Sequence, residues 1–285
     1  MNFADRIDQA RSAKQSFAIL GVDPQLDSRQ ASGVPEGYSL NGFCCEIIEA
    51  CASSIIAIKP QLAFFEARGL EGMRALKETT ALARKLGLIV IADAKRGDIG
   101  STSAAYAEAF LGDGDFGCDA VTVNPYLGSD AIAPFIMRVR SGRGLFVLVK
   151  TSNPSSGEFQ DQRIGEATLW QSVAGRVHGW GGDFIGECGL SPVGAVVGAT
   201  YPQEARLARE LMPHALILVP GYGAQGATAA EAIAAARPDG SGIIVNASRS
   251  LMYAYLENPE TKPGEAASKA AETMRLSLNQ ALAAR

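Results

Sequence analysis

Eight short runs of apolar, largely β-branched residues recur along the chain, and stretches with helical periodicity separate most of them. Near-continuous apolar runs of this kind are typical of strands that are covered on both faces, as in parallel sheets. Alternation of such strands with helices predicts right-handed βαβ units. The predicted strands are 17–23, 55–60, 88–93, 120–124, 145–150, 194–198, 216–220 and 243–246, and the clearest predicted helices are 66–86, 99–111, 131–141 and 163–177.

Eight such units in a chain of 285 residues predict an α/β fold of the (β/α)8 TIM-barrel type. A doubly wound sheet has the same local pattern, but the count of eight favours the barrel. Polar residues directly after the strands favour it too, because in a barrel those strand ends converge on one opening. We expect residues 1–285 to form a single domain, with a helix near residues 2–15 closing the other end and an amphipathic helix at the C-terminus.

Composition argues against several other classes of protein. The net charge of −4 and the pI near 5.4 give no support to binding of nucleic acid or a membrane surface. No run of about eighteen apolar residues predicts a membrane span, and the N-terminus lacks the apolar segment of a signal peptide. Five cysteines without a Cys-x-x-Cys pair, together with two histidines, predict buried thiols in a reducing cytoplasm and no metal site.

The segment IVIADAKRGDIGST, residues 89–102, carries the clearest chemical signal. Asp93 and Lys95 follow a predicted strand at i, i+2 spacing, so an extended chain would direct both side chains into the opening of the barrel. Asp98 comes where the chain is expected to turn into a helix, and Thr102 falls in the first turn of that helix. A purely structural interpretation, with Asp98 as the helix N-cap, stays open for this segment taken alone.

Charged residues at the ends of two other strands strengthen the chemical interpretation. Lys59 ends the preceding strand and should neighbour Asp93, while Asp23 ends the first strand. The predicted opening therefore holds aspartate and lysine side chains in alternation on three consecutive strands. Charges that directly follow buried strands are harder to explain as a solvated surface than charges elsewhere.

A second group of residues follows the seventh and eighth predicted strands. The sequence VPGYGAQG, residues 219–226, has three glycines and Gln225, and Arg249 lies at an expected helix start after the eighth strand. Barrels often bind phosphate in these two loops, where glycine backbone can approach closely and arginine can bind two oxygens. Glycines that serve only tight turns are the alternative, and the position in the fold favours a phosphate site.

The motifs GVDP, IKPQ, DAKRGDIGST, VPGYGAQG and NASR, in this order, resemble those of the orotidine 5′-phosphate decarboxylase family, and most of all its longer bacterial (type 2) subgroup. The resemblance covers residues 17–255. It implies cofactor-free, metal-free decarboxylation of orotidine 5′-phosphate to uridine 5′-phosphate in de novo pyrimidine biosynthesis. It also implies a cytoplasmic homodimer whose active sites are shared across the interface. Asn124 and Tyr126 match the longer subgroup as well, without an assigned role.

The resemblance implies catalytic roles for four residues. Lys95 would donate a proton to C6 of the pyrimidine, and Asp93 would lie beside the substrate carboxylate. Lys59 would link Asp93 to the ribose. Asp98 would complete this lysine–aspartate array from the neighbouring subunit.

Five further residues would bind the nucleotide. Asp23 would hold a ribose hydroxyl, and Thr102 would reach the nucleotide in the partner subunit. Ser152, in the KTSNP loop after the fifth strand, would recognise the pyrimidine. Gln225 and Arg249 would hold the phosphate.

The implied chemistry explains why lysine and aspartate are needed. Loss of carbon dioxide from C6 leaves charge in an orbital that the ring cannot delocalise, so a cation must already be in place. A lysine ammonium flanked by two carboxylates can stabilise that charge and then supply the proton. Binding energy from the remote phosphate would supply much of the remaining barrier reduction, although Arg249 touches no reacting atom.

Two other functions stay open at this point. A metal-dependent sugar-phosphate decarboxylase or aldolase of the same barrel type shares the Asp-x-Lys-x-x-Asp pattern, but it needs an acid where this chain has Lys59. A non-catalytic barrel that binds a phosphorylated metabolite would keep the phosphate loops but has no use for a buried array of charges. Activity on orotidine 5′-phosphate, with and without a chelator, separates the three.

Overall fold

The structure, a computed structural model, describes residues 1–25, 33–223 and 226–285. Its centre is a closed barrel of eight parallel strands whose order around the barrel follows their order in the chain. The prediction of a (β/α)8 barrel is confirmed. The strands are β1 (Ala18–Val22), β2 (Ala57–Pro60), β3 (Ile89–Arg96), β4 (Ala120–Val123), β5 (Gly144–Lys150), β6 (Ser191–Val197), β7 (Ala215–Pro220) and β8 (Ile243–Ala247).

Successive strand residues alternate between two apolar layers, as a pleated backbone requires. On β1, Leu20 belongs to the large core between barrel and helices, whereas Ile19 belongs to the cluster inside the barrel. The bottom of that interior is closed by α1 (Phe3–Lys14), whose Phe3 packs edge-to-face on Phe146 with ring centroids 6.0 Å apart. Because apolar side chains seal this end, the space for a polar ligand lies at the opposite opening.

Around the barrel lie α2 (Leu40–Cys51), α3 (Leu62–Glu66), α4 (Gly69–Lys85), α5 (Gly100–Leu111), α6 (Ser129–Val139), α7 (Gly157–Gln160), α8 (Leu169–Gly181), α9 (Pro202–Leu211), α10 (Ala229–Ala232), α11 (Arg249–Met252) and α12 (Pro263–Ala283). The predicted helices 99–111 and 131–141 correspond to α5 and α6. The C-terminal helix α12 packs against α2. None of the helices in the described part of the chain has the length and apolar character that crossing a membrane requires.

Two predicted helices have different boundaries in the structure. The predicted helix 66–86 corresponds to α4, which begins only at Gly69, where the backbone has a left-handed φ of 58°; Glu66 is the last residue of α3. The prediction of a helix over 163–177 is wrong in its first part, since residues 163–168 form a two-stranded antiparallel ribbon that turns at Gly165. Helix α8 starts after Thr168, which forms a capping box with Gln171.

Candidate active site

A cavity of about 520 Å³ lies at the carboxyl ends of the barrel strands, where barrels of this type place their active sites. We call it the mouth cavity. Side chains from the ends of β1, β2 and β3 line it, together with the segments that follow β5, β7 and β8. Of the predicted site residues, the cavity brings together Asp23, Lys59, Asp93, Lys95, Ser152 and Arg249.

Asp93, near the end of β3, is the centre of a hydrogen-bond network and is 6% exposed. Its Oδ2 accepts hydrogen bonds from Lys59 Nζ at 2.6 Å and Gln61 Nε2 at 3.0 Å. Its Oδ1 accepts hydrogen bonds from Lys95 Nζ at 2.6 Å and Thr122 Oγ1 at 2.9 Å. Each carboxylate oxygen therefore has one ammonium donor and one neutral donor, which together fix the orientation of the carboxylate.

Burial and neighbouring charges set the ionisation of this network. Burial by itself disfavours the charged form of Asp93, but the ammonium groups of Lys59 and Lys95 outweigh it and hold the pKa of Asp93 well below its usual range. Burial also opposes the charge of Lys59. The carboxylates of Asp93 and Asp23 outweigh that effect, so the pKa of Lys59 is raised. The buried Lys59–Asp93 pair is therefore ionised at neutral pH.

Lys95 reaches Asp93 from an irregular strand end and not from the extended chain that the i, i+2 spacing was expected to give. The pairing of β3 with β4 shifts register between Ala92 and Arg96, and Lys95 has a left-handed φ of 46°. Its side chain still lines the mouth cavity and is 43% exposed, against 8% for the side chain of Asp93. Lys95 is thus the most exposed charged member of the network.

Asp23, which follows β1, has a buried carboxylate oxygen, Oδ1, with no hydrogen-bond partner among the described residues. Burial raises the pKa of Asp23, although the nearby Lys59 acts in the opposite direction. On β8, the side-chain oxygen of Asn246 is also buried and has no donor in the same part of the chain. Both residues line the mouth cavity, and two such acceptors suit a ligand that brings its own hydroxyl groups, such as a sugar.

Asp98 and Thr102 do not line the mouth cavity of their own chain. The side chain of Asp98 accepts a hydrogen bond from the backbone N–H of Ile99 at 2.8 Å. Ile99, and not Asp98, occupies the N-cap position of α5, so the alternative interpretation of Asp98 as the helix N-cap is wrong. Thr102 is exposed on the first turn of α5.

The predicted phosphate side of the mouth cavity is formed by the segments after β7 and β8. Arg249, the first residue of α11, lines the cavity together with Ser248 from the same segment. Gly221 and Tyr222 line it from the segment after β7. Gln225 lies outside the described residues. An arginine beside a glycine that lines the same cavity is a suitable arrangement for binding a phosphate group.

The segment after β5 forms another wall of the mouth cavity and is held by an ion pair. Lys150, the last residue of β5, has a side chain that is 1% exposed, and its Nζ lies 2.6 Å from Asp161 Oδ1. Next to it, the side-chain oxygen of Gln160 accepts a hydrogen bond from the backbone N–H of Thr151 at 3.0 Å. These contacts attach the long loop 153–165 to the barrel and so position Ser152 at the cavity.

The predicted set omits several polar residues that line the cavity, among them Gln61, Thr122 and Gln160. Gln61 belongs to the IKPQ motif and Thr122 lies near the end of a predicted strand, so position at a strand end could have indicated both. Gln160 carries no such signal, because its place depends on the path of a long loop. Asn124 and Tyr126 lie outside the cavity, where the side chain of Asn124 accepts a hydrogen bond from the backbone of Tyr126.

The fold and the mouth cavity define an enzyme of the (β/α)8-barrel class. A family model described as Orotidine 5′-phosphate decarboxylase / HUMPS family matches residues 39–262. Because this match covers more than half of the chain, the chain belongs to that family. The resemblance inferred from the order of its motifs is confirmed.

Individual relatives agree with the family model. The orotidine 5′-phosphate decarboxylase of Rhodopirellula baltica is 43% identical over 90% of this chain and 89% of its own length. The protein of the same name from Roseiflexus castenholzii is 40% identical, with 100% of both chains covered. The structure of Leishmania donovani OMP decarboxylase superposes with a TM-score of 0.74 at 32% identity, covering 97% of this chain and 99% of that one.

Within residues 1–25, 33–223 and 226–285, no three histidine, cysteine, aspartate or glutamate side chains are grouped so that they could hold a metal ion. The charged groups that meet at Asp93 are instead two lysines and one carboxylate. Cations so close to the carboxylate would repel a divalent metal from it. The arrangement suits a reaction that develops negative charge next to an ammonium group.

Proposed function

We propose that this chain converts orotidine 5′-phosphate to uridine 5′-phosphate and carbon dioxide in pyrimidine biosynthesis, with Lys95 as the proton donor. The family and relatives that match the whole length of the chain support the decarboxylation. The observation that carries the mechanism is the position of Lys95 Nζ. It lies 2.6 Å from the buried Asp93 carboxylate on a side chain that is 43% exposed in the mouth cavity.

The proposed step moves one electron pair and one proton. The bond between C6 and the carboxylate breaks, carbon dioxide leaves, and the electron pair stays on C6. The ammonium group of Lys95, already in place, stabilises this charge and then transfers a proton to C6. The lysine amine regains a proton from solvent after the product leaves. No electron sink is needed, because a fixed cation next to C6 performs the same task.

The rest of the mouth cavity offers a place for each part of the nucleotide. A volume of about 520 Å³ is in the range of cavities that bind small molecules. Asp23, whose Oδ1 has no hydrogen-bond partner in the described part of the chain, and Lys59 would bind the ribose hydroxyls. Ser152 would bind the pyrimidine and Arg249 the phosphate, with Gln225 as a second phosphate ligand.

We also propose that the active form is a homodimer in which Asp98 and Thr102 act in the partner's site. Their position outside the cavity of their own chain supports this assignment. So do the apolar side chains next to them, because Ile99 is 53% exposed and Leu127 is 46% exposed. A surface of this kind would be covered in a dimer.

A subunit-mixing experiment tests the shared site. Lys95→Ala and Asp98→Asn should each be inactive, because each removes a different part of the array. Half of the randomly mixed dimers contain one subunit of each type, and every such dimer has one intact site, so about a quarter of wild-type activity should return. If the mixture stays as inactive as its components, the shared site is excluded.

Two lesser proposals complete the assignment. We propose a single domain over residues 1–285, since helices from both ends of the chain pack on the same barrel, α1 on its interior cluster and α12 on the core around it. We propose a cytoplasmic enzyme, because the five cysteines are free and three of them are buried.

The deciding experiment is the loss of substrate absorbance on orotidine 5′-phosphate, with protein purified from a host that lacks its own decarboxylase. Wild type should turn over equally well with and without EDTA. Lys95→Ala should lose turnover but still bind uridine 5′-phosphate. Lys269→Ala, which alters a 73% exposed lysine on α12, should behave as wild type. Loss of wild-type activity in EDTA would favour the metal-dependent alternative, and binding without any turnover would favour the non-catalytic one.

A further inference from the structure

We infer that Thr122 is a positioning residue that fixes both Asp93 and Lys95 for the proposed reaction. The inference rests on the proposed function but concerns a residue that the motifs do not mark. Thr122 lies on β4 and is 1% exposed. Its hydroxyl contacts both the carboxylate of Asp93 and the backbone of Lys95.

The two hydrogen bonds of this hydroxyl have only one possible direction. Thr122 Oγ1 lies 2.9 Å from Asp93 Oδ1 and 3.0 Å from the backbone nitrogen of Lys95. An ionised carboxylate can only accept, and a backbone N–H can only donate. The single hydroxyl proton must therefore point to Asp93, while the oxygen accepts the N–H of Lys95. Both hydrogen-bonding capacities of the hydroxyl are used at once.

Lys95 needs such a partner because its backbone is unusual. Four residue steps on β3, from Ala92 to Arg96, lie opposite two steps on β4, from Val121 to Val123. Thr122 is the residue of β4 that faces this bulge. The left-handed φ of Lys95, 46°, is unfavourable for a residue other than glycine and persists only where the surroundings fix it. The Thr122 hydroxyl provides an acceptor for an N–H that the irregular strand pairing leaves without one.

The same hydroxyl connects backbone shape to side-chain position. Lys95 Nζ and Thr122 Oγ1 both bind Asp93 Oδ1. Without the hydroxyl, the carboxylate could rotate towards Lys59, and the bulge at Lys95 would lose an anchor. The ammonium group would then be displaced from the reacting carbon, while the residues that bind ribose and phosphate would stay in place. The loss should therefore fall on kcat and not on KM.

Two variants separate the hydroxyl from the volume of the side chain. Thr122→Val keeps the branched shape and removes the hydroxyl, whereas Thr122→Ser keeps the hydroxyl and removes the methyl group. We expect Thr122→Val to lower kcat on the order of a hundredfold, with KM changed by less than about twofold, because small displacements of a reacting group have effects of this size. Thr122→Ser should recover to within about tenfold of wild-type kcat. Thr122→Ala takes the place of the valine variant if that one does not fold.

Hydrogen exchange at the Lys95 amide, followed by NMR, gives a second readout that does not depend on turnover. Protection of this amide should be lost in Thr122→Val and kept in Thr122→Ser. Equal kcat in wild type and Thr122→Val, or equal losses in the valine and serine variants, would overturn the inference. An inactive wild type whose Lys95 amide still depends on the hydroxyl would instead refute the proposed function and leave the hydrogen-bond arrangement standing.

Discussion

Replacing Asp93 by asparagine keeps the shape of the side chain and removes the anion that two lysines share. The consequences differ for the two lysines. Lys95 is 43% exposed, so water can solvate its charge after the change. Lys59 is 5% exposed and would lose a partner at 2.6 Å. Breaking a buried ion pair costs about 3–5 kcal/mol. Because the Asp23 carboxylate still stabilises the charge of Lys59, we expect Asp93→Asn to lower the free energy of unfolding by the lower end of that range at pH 7.

The pH dependence of this effect has a definite sign. The pKa of Asp93 is lowered in the folded protein from its ordinary value of 3.8. Its contribution to stability is therefore complete above that ordinary value and declines as the pH falls towards the folded-state pKa. The decline is about 1.4 kcal/mol per pH unit, so the difference between wild type and Asp93→Asn should shrink by about 1 kcal/mol between pH 5 and pH 3.

Urea denaturation followed by tryptophan fluorescence measures both quantities. Asp113→Asn is the matched control, since it also removes a carboxylate from an ion pair, but one whose carboxylate side chain is 100% exposed. We expect no measurable change in that variant. If Asp93→Asn is as stable as wild type at pH 7, or if the difference grows as the pH falls, the assignment of Asp93 as the charge that compensates Lys59 is refuted.

Three further predictions concern the remaining walls of the mouth cavity. Arg249→Ala should lower kcat/KM for orotidine 5′-phosphate at least about a hundredfold. It should leave kcat/KM unchanged for orotidine, which has no phosphate. Equal losses on both substrates would contradict the assignment of Arg249 to the phosphate. Because burial raises the pKa of Asp23, its negative charge destabilises the folded protein at pH values above that pKa. Asp23→Asn should therefore unfold at a higher urea concentration than wild type at pH 7, and this gain in stability should disappear at acidic pH. The variant should also bind uridine 5′-phosphate more weakly. Asp161→Asn should release the loop that is held by Lys150. Limited proteolysis should then cut within residues 153–165 roughly tenfold faster than in wild type. An unchanged cleavage rate would show that the ion pair does not hold this loop.

The fold could be predicted from the sequence because parallel strands buried on both faces need continuous apolar runs. The predicted strand 216–220 lies within β7, whose residues are almost all buried. Each of the other predicted strands overlaps one strand of the barrel. Lys59 and Asp93 could be predicted as neighbours, since they end adjacent parallel strands. Charge placement directly after an apolar run was a sufficient signal for both.

Features that depend on contacts between distant segments could not be predicted in this way. The ribbon over residues 163–168 has a helical pattern of apolar residues, but Gly165 and the Thr168 cap decide its conformation. Gln160 lines the mouth cavity from a loop that is attached to the barrel by the Lys150–Asp161 ion pair and by its own hydrogen bond with Thr151. No local pattern predicts such a contact, because its two partners lie on different elements. Another pair of residues could also make an equivalent contact.

Lys95 shows that a correct prediction of neighbours can rest on a wrong conformation. An extended chain and the observed bulge both place its ammonium group near Asp93, so the i, i+2 spacing alone does not distinguish them. The bulge, however, contains two more residues on β3 than on the facing part of β4. Lys95 therefore lies beside Thr122 and not further along the strand, as an extended chain would place it. In the proposed mechanism, the Asp-x-Lys spacing positions Lys95 together with a hydroxyl on the next strand. A similar sequence without a hydroxyl at that place should form the barrel and its ion pairs but hold the ammonium group less firmly.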